Sequence, residues 1–106
     1  MFVINGKIWR VKVVRSDYPL LRQPNGQFAV GVCDYSYKLI CISDKLRGRE
    51  FKITLCHEIV HAAMFSYNIE LDHDEEEFLA EFIAQYGPEI IHVTDTVFKK
   101  IKRGRI

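Results

Sequence analysis

Several things this sequence lacks narrow its class. Its three cysteines, Cys33, Cys41 and Cys56, are odd in number and form no C-x-x-C pair, which excludes a disulfide framework or a cysteine zinc knuckle. They read as reduced, small apolar residues of a core. No apolar run approaches the roughly 20 residues of a membrane span, and no charged-then-apolar signal pattern opens the chain. The expectation is a cytoplasmic protein without a membrane partner. A formal net charge of +1 gives no global field, so no direct nucleic-acid partner is expected. No internal repeat, low-complexity segment or Gly/Pro/Ser-rich linker divides the chain. The 106 residues are therefore read as one domain, 1–106, large enough for one core.

What is present begins with strand patterning. Asn5-Gly6 is a two-residue hairpin signal between Phe2-Val3-Ile4 and Ile8 to Val14. In the second run Trp9, Val11 and Val13 alternate with Arg10 and Lys12, which predicts one buried sheet face. Pro19, Pro24 and Asn25-Gly26 mark a loop with a short helical turn at Tyr18 to Arg22. Strand character returns at Phe28 to Cys33 and at Tyr37 to Ile42, joined by Asp34-Tyr35-Ser36, so a second hairpin is expected. After Ser43 the period becomes helical. One helix is predicted from Arg49 to Tyr67, an acidic one from Glu75 to Tyr86 ended by Gly87-Pro88, and a last one from Glu89 to Ile101. The fold class expected is α+β: a small antiparallel sheet of two hairpins packed on a buried helix, plus two further helices.

The first helix carries the chemistry. In Cys56-His57-Glu58-Ile59-Val60-His61 the histidines stand at i and i+4, one turn apart on nearly one face, so both imidazoles can reach one cation. Glu58 is rotated about 100° from His57, where it addresses a water at the metal as a general base. Two apolar stripes, Ile53-Cys56-Val60-Ala63-Met64-Tyr67 and Leu55-Ile59-Ala62-Phe65, make this helix buried. Unpaired polar groups there would each cost about 1 to 3 kcal/mol, and a shared metal satisfies both rings. Zinc is the ion such ligands favour.

On the acidic helix Glu77 and Glu81 share a stripe with Ala80 and Ala84, whose small side chains permit close antiparallel packing on the motif helix. Glu77 is expected as the third ligand, with Glu81 as an acceptor that orients one of the histidines. Glu81 itself and His73, read as a loop residue, are the alternative third ligands. Glu75 and Glu76 read as first-turn residues that compensate the helix dipole on a solvated end. His92 is read as a surface or core residue of the last helix. The basic ending from Lys99 to Arg105 reads as a solvated helix terminus. Tyr35, Tyr37, Tyr67, Tyr86 and His73 are all candidates for an oxyanion stabiliser.

The run His57-Glu58-Ile59-Val60-His61-Ala62, followed after a short loop by Glu76 to Tyr86, resembles the compact zincin domains of the ImmA/IrrE-type metallopeptidase family, in particular its short phage and mobile-element members. The resemblance covers most of the chain in layout and is specific only in the motif helix. It implies a gluzincin site with two histidines and one glutamate on Zn2+, and hydrolysis of a peptide bond in a specific protein such as a regulatory repressor. It also implies that a protein or peptide substrate binds as an added strand beside the site, on the Tyr37 to Ile42 strand or its neighbour. Where the family commonly has Glu-Ala-Asn or Glu-Ala-Asp, this chain has Glu77-Phe78-Leu79. The alternative function is a non-catalytic binding or inhibitor protein with zinc as a structural staple.

Overall fold

A computed structural model describes residues 1–104 of the chain. Four strands form one sheet: β1 (Phe2–Ile4), β2 (Lys7–Val14), β3 (Gly31–Asp34) and β4 (Leu39–Ser43), in the order β1-β2-β4-β3. Two helices follow, α1 (Gly48–Ser66) and α2 (His73–Lys102). Asn5 and Gly6 both take positive φ, 46° and 75°, which matches the strand twist and closes the β1–β2 hairpin. Tyr37 donates its backbone N–H to Asp34 Oδ1 at 2.9 Å in the turn between β3 and β4.

The expected antiparallel sheet is corrected here: both hairpins are antiparallel, but β2 and β4 pair in parallel, from Arg10 beside Leu39 to Val14 beside Ser43, so the sheet is mixed. The physical reason lies in β4. Its run Leu39-Ile40-Cys41-Ile42 is apolar on both faces and every residue of the strand is buried, so it takes a central place. Ile40 and Ile42 pack with Trp9 and Ala62 beneath α1. Leu39 and Cys41 pack on the opposite face with Val14 and Leu21. Leu21 belongs to a short 3-10 turn, Pro19–Leu21, within the segment that covers this second face. The expected alternation along β2 therefore breaks at its end: Val13 is 59% exposed, and Val14 is buried instead.

Helix α1 closes over the first face and ends against the β1–β2 turn. Trp9 Nε1 donates to Ser66 Oγ at 2.9 Å, and Asn5 Nδ2 and Lys7 Nζ donate to the Ser66 carbonyl. That carbonyl is one of the last four of a helix, which have no intrahelical donor, so the hairpin satisfies it. Asp72 caps α2 in a capping box with Glu75, whose backbone N–H holds the Asp72 carboxyl below its ordinary value. The box starts the helix at His73, so His73 is a first-turn helical residue and not a loop one. Ala80 is fully buried against Val60 and Met64, which brings α2 close to α1.

Among the described residues one helix follows α1, not the two expected. Pro88 lies inside α2 without ending it. A residue before proline is normally pushed out of helical geometry by a clash of its Cβ with the proline ring; Gly87 has no Cβ, and the helix continues. Of the basic ending, Lys99, Lys100 and Lys102 occupy the last turn of α2, while Arg105 lies outside the described residues. No helix among the described residues is long and apolar enough to cross a membrane.

Candidate metal centre

His57, Glu58 and His61 lie in the middle of α1, and the first turns of α2 run alongside them. His57, His61 and Glu77 offer ligand atoms that all lie within 4.8 Å of one another, a group that could hold a metal ion. The Nε2 atoms of both rings converge on the Glu77 carboxylate: His57 Nε2 is 3.2 Å from Oε2, and His61 Nε2 is 2.9 Å from Oε1. The other ring nitrogens face separate carboxylates. His57 Nδ1 is 3.2 Å from Glu81 Oε2, and His61 Nδ1 is 2.6 Å from Glu76 Oε2.

These contacts have an electrostatic consequence. Every ring nitrogen of the pair thus faces a carboxylate oxygen. Three carboxylates gathered around two imidazoles concentrate negative charge, which a cation between the Nε2 atoms and Glu77 would offset. The donor set, two imidazole nitrogens and one carboxylate with their outer sides held by further carboxylates, is the kind that divalent transition metals take.

Glu58 is the buried carboxylate of the site, 8% exposed. Burial pushes its pKa up; the neighbouring His57 and His61 pull it down, and Glu77 adds to the rise. The edge strand lies directly against it. A Cβ added to Gly31 would stand 2.7 Å from Thr54 Cγ2 and 3.2 Å from Glu58 Oε2, so β3 can approach α1 this closely only with glycine there.

Glu76 is where the solvated-end reading of the sequence fails. Its side chain is 22% exposed, holds His61 Nδ1, and accepts a hydrogen bond from Tyr35 Oη at 3.1 Å. Tyr35 is itself fixed by stacking on Phe65, with ring centroids 4.8 Å apart. The signal was available in the spacing: Ala80, the residue that touches α1, has Glu76 at i−4 and Glu77 at i−3, so both flank the contact.

The site opens into a groove of about 580 Å³ whose walls include Val30 and the β3 residues Gly31, Val32 and Cys33, as well as Tyr35 and His73. Of the five candidates for stabilising an oxyanion, Tyr35 and His73 line the groove and Tyr37, Tyr67 and Tyr86 do not. His73 is not in the group that could hold a metal, and Glu81 reaches His57 from outside it. His92 is exposed on the distal half of α2. The expected strand edge is the neighbour of the Tyr37 to Ile42 run: β4 is interior, and β3 is the edge beside the site.

Comparison of the chain with protein-family models, with curated proteins and with solved structures gives no match. What can be said of function rests on the site's own geometry and on the motif resemblance.

Proposed function

We propose that the protein is a zinc-dependent metallopeptidase in which His57, His61 and Glu77 hold the metal and Glu58 is the general base. The observation that carries this reading is the convergence of both Nε2 atoms and the Glu77 carboxylate, with ligand atoms within 4.8 Å, beside a buried glutamate and an open strand edge. Zinc bound there supplies Lewis acidity, lowering the pKa of a water towards about 7 and polarising a carbonyl oxygen. Every other task falls to the chain. Glu58, kept from solvent and raised in pKa by burial, takes a proton from the attacking water and returns it to the leaving amine. Glu76 and Glu81 hold the two imidazoles by Nδ1 so that Nε2 faces inward. The unpaired edge of β3 binds an extended peptide through backbone hydrogen bonds. Tyr35 or His73, both in the groove, stabilises the developing oxyanion.

The motif helix supports the same reading through its resemblance to ImmA/IrrE-type metallopeptidases, which makes a specific protein, a regulatory repressor in kind, the expected substrate class. Zinc content of the purified chain, followed by hydrolysis of a peptide library by wild type and Glu58→Gln, tests the proposal. The expected result is near one zinc per chain in both proteins and cleavage only by the wild type. Absence of bound metal, or a rate that Glu58→Gln leaves unchanged, would overturn it; equal metal with no cleavage by either protein would favour a structural zinc site.

A further inference from the structure

Beyond the site, α2 leaves the body of the molecule. The start of α1 stays beside α2 as far as Pro88 and Glu89, where Arg49 and Lys52 share a groove with them. From Pro88 to Gly104 every residue is exposed, and the molecule measures 56 × 30 × 27 Å because this half of the helix projects. The projecting half is not a polar rod. Ile90, Thr94, Val97 and Ile101 recur at four- and three-residue steps, the spacing of a two-helix seam. Ile91 and Phe98, 62% and 58% exposed, widen it on one flank. Thr94 turns its hydroxyl back to the Ile90 carbonyl at 2.8 Å, which leaves its methyl group for the seam.

We infer that the protein forms a two-fold dimer by pairing the projecting halves of α2 antiparallel with those of a second copy. The row is self-complementary in that orientation. An axis beside the Asp95–Thr96 peptide sets Ile90 of one copy level with Ile101 of the other, and Thr94 level with Val97. Charge selects the same orientation. Glu89 and Asp95 precede the basic end, Lys99, Lys100, Lys102 and Arg103; antiparallel pairing about this axis sets the basic end of each copy at the level of Glu89 of the other. Parallel pairing would instead stack the two basic ends. Helices of this length bury about 1,000 Å² in total, near the lower limit for a specific interface, so the dimer forms and dissociates with concentration. The two bodies then lie at opposite ends of the paired helices, and both grooves stay open to substrate.

Sedimentation velocity of the full chain from micromolar to submillimolar concentration reads the mass directly. The expected result is a rise from 12.4 kDa to twice that value. Val97→Glu should weaken association roughly tenfold or more while the helical circular dichroism is retained, since the residue touches nothing in the monomer core. A mass of 12.4 kDa at every concentration would overturn the inference. So would association that Val97→Glu does not touch, or a monomer that instead co-sediments with phosphatidylserine vesicles.

Discussion

Replacing Gly31 by alanine tests how tightly the edge strand is pressed onto the face of α1 that carries Thr54 and Glu58. The added methyl would sit 2.7 Å from Thr54 Cγ2 and 3.2 to 3.3 Å from Glu58 Oε2 and Cγ. The first contact is far inside van der Waals distance, and Thr54 is β-branched and stiff at χ1, so it cannot swing away without strain. Overpacking of this kind costs about 1 to 3 kcal/mol. The lower backbone entropy of alanine in the unfolded chain offsets about 0.4 to 1 kcal/mol, because Gly31 does not need a positive φ. The net expectation is a loss of about 1 to 2 kcal/mol in urea unfolding, accompanied by displacement of the Glu58 carboxylate and a lower hydrolytic rate at unchanged metal content. Thr54→Ser removes the offending methyl, so Gly31→Ala with Thr54→Ser should recover most of the stability, with a coupling of about 1 kcal/mol or more. If Gly31→Ala is neutral in both backgrounds, the strand is not held against the helix as described and the steric argument fails.

Three further expectations follow from other contacts. Glu76→Ala removes the acceptor at His61 Nδ1 and should lower zinc affinity about 10- to 100-fold in a chelator competition, whereas Tyr35→Phe, which removes only the hydrogen bond to Glu76, should have the smaller effect; the reverse order would refute the role given to Glu76. Trp9→Phe leaves the fully buried Ser66 hydroxyl without its donor and should destabilise by about 1 to 3 kcal/mol, part of it recovered in Trp9→Phe with Ser66→Ala; an urea midpoint unmoved by the single change would contradict it. Burial pushes the thiols of Cys33, Cys41 and Cys56 and the phenol of Tyr35 above their ordinary values. The unfolded chain thus ionises first as pH rises, so stability from these groups is complete below their unfolded values, 9.0 for the thiols and 10.0 for Tyr35, and declines above them; a thermal midpoint that stays flat or rises through that alkaline range would disprove it.

The sequence by itself determined the local features: the Asn5-Gly6 turn, whose φ values the pair of residues dictates; the α1 period; and the turn-to-turn spacing that puts His57 and His61 on one face with Glu58 beside them. It also carried the small-residue stripe Ala80 and Ala84 that sets how near α2 comes, and with it the place of Glu77. These depend on interactions within a few residues, where spacing and backbone geometry suffice. Tertiary structure alone decided the parallel pairing of β2 with β4, since no turn signal links strands so far apart in the chain and only the two-sided burial of Leu39 to Ile42 selects the interior position. It also decided Glu76, which has the composition of a helix-dipole residue until Tyr35, stacked on Phe65 from across the groove, and His61 close around it. The continuation of α2 through Pro88 is by contrast a local matter, in which the missing Cβ of Gly87 outweighs the rule that Gly-Pro ends a helix. The strand pairing and the contacts of Glu76 are non-local, fixed by which surfaces meet on folding, and a linear pattern holds no record of that meeting.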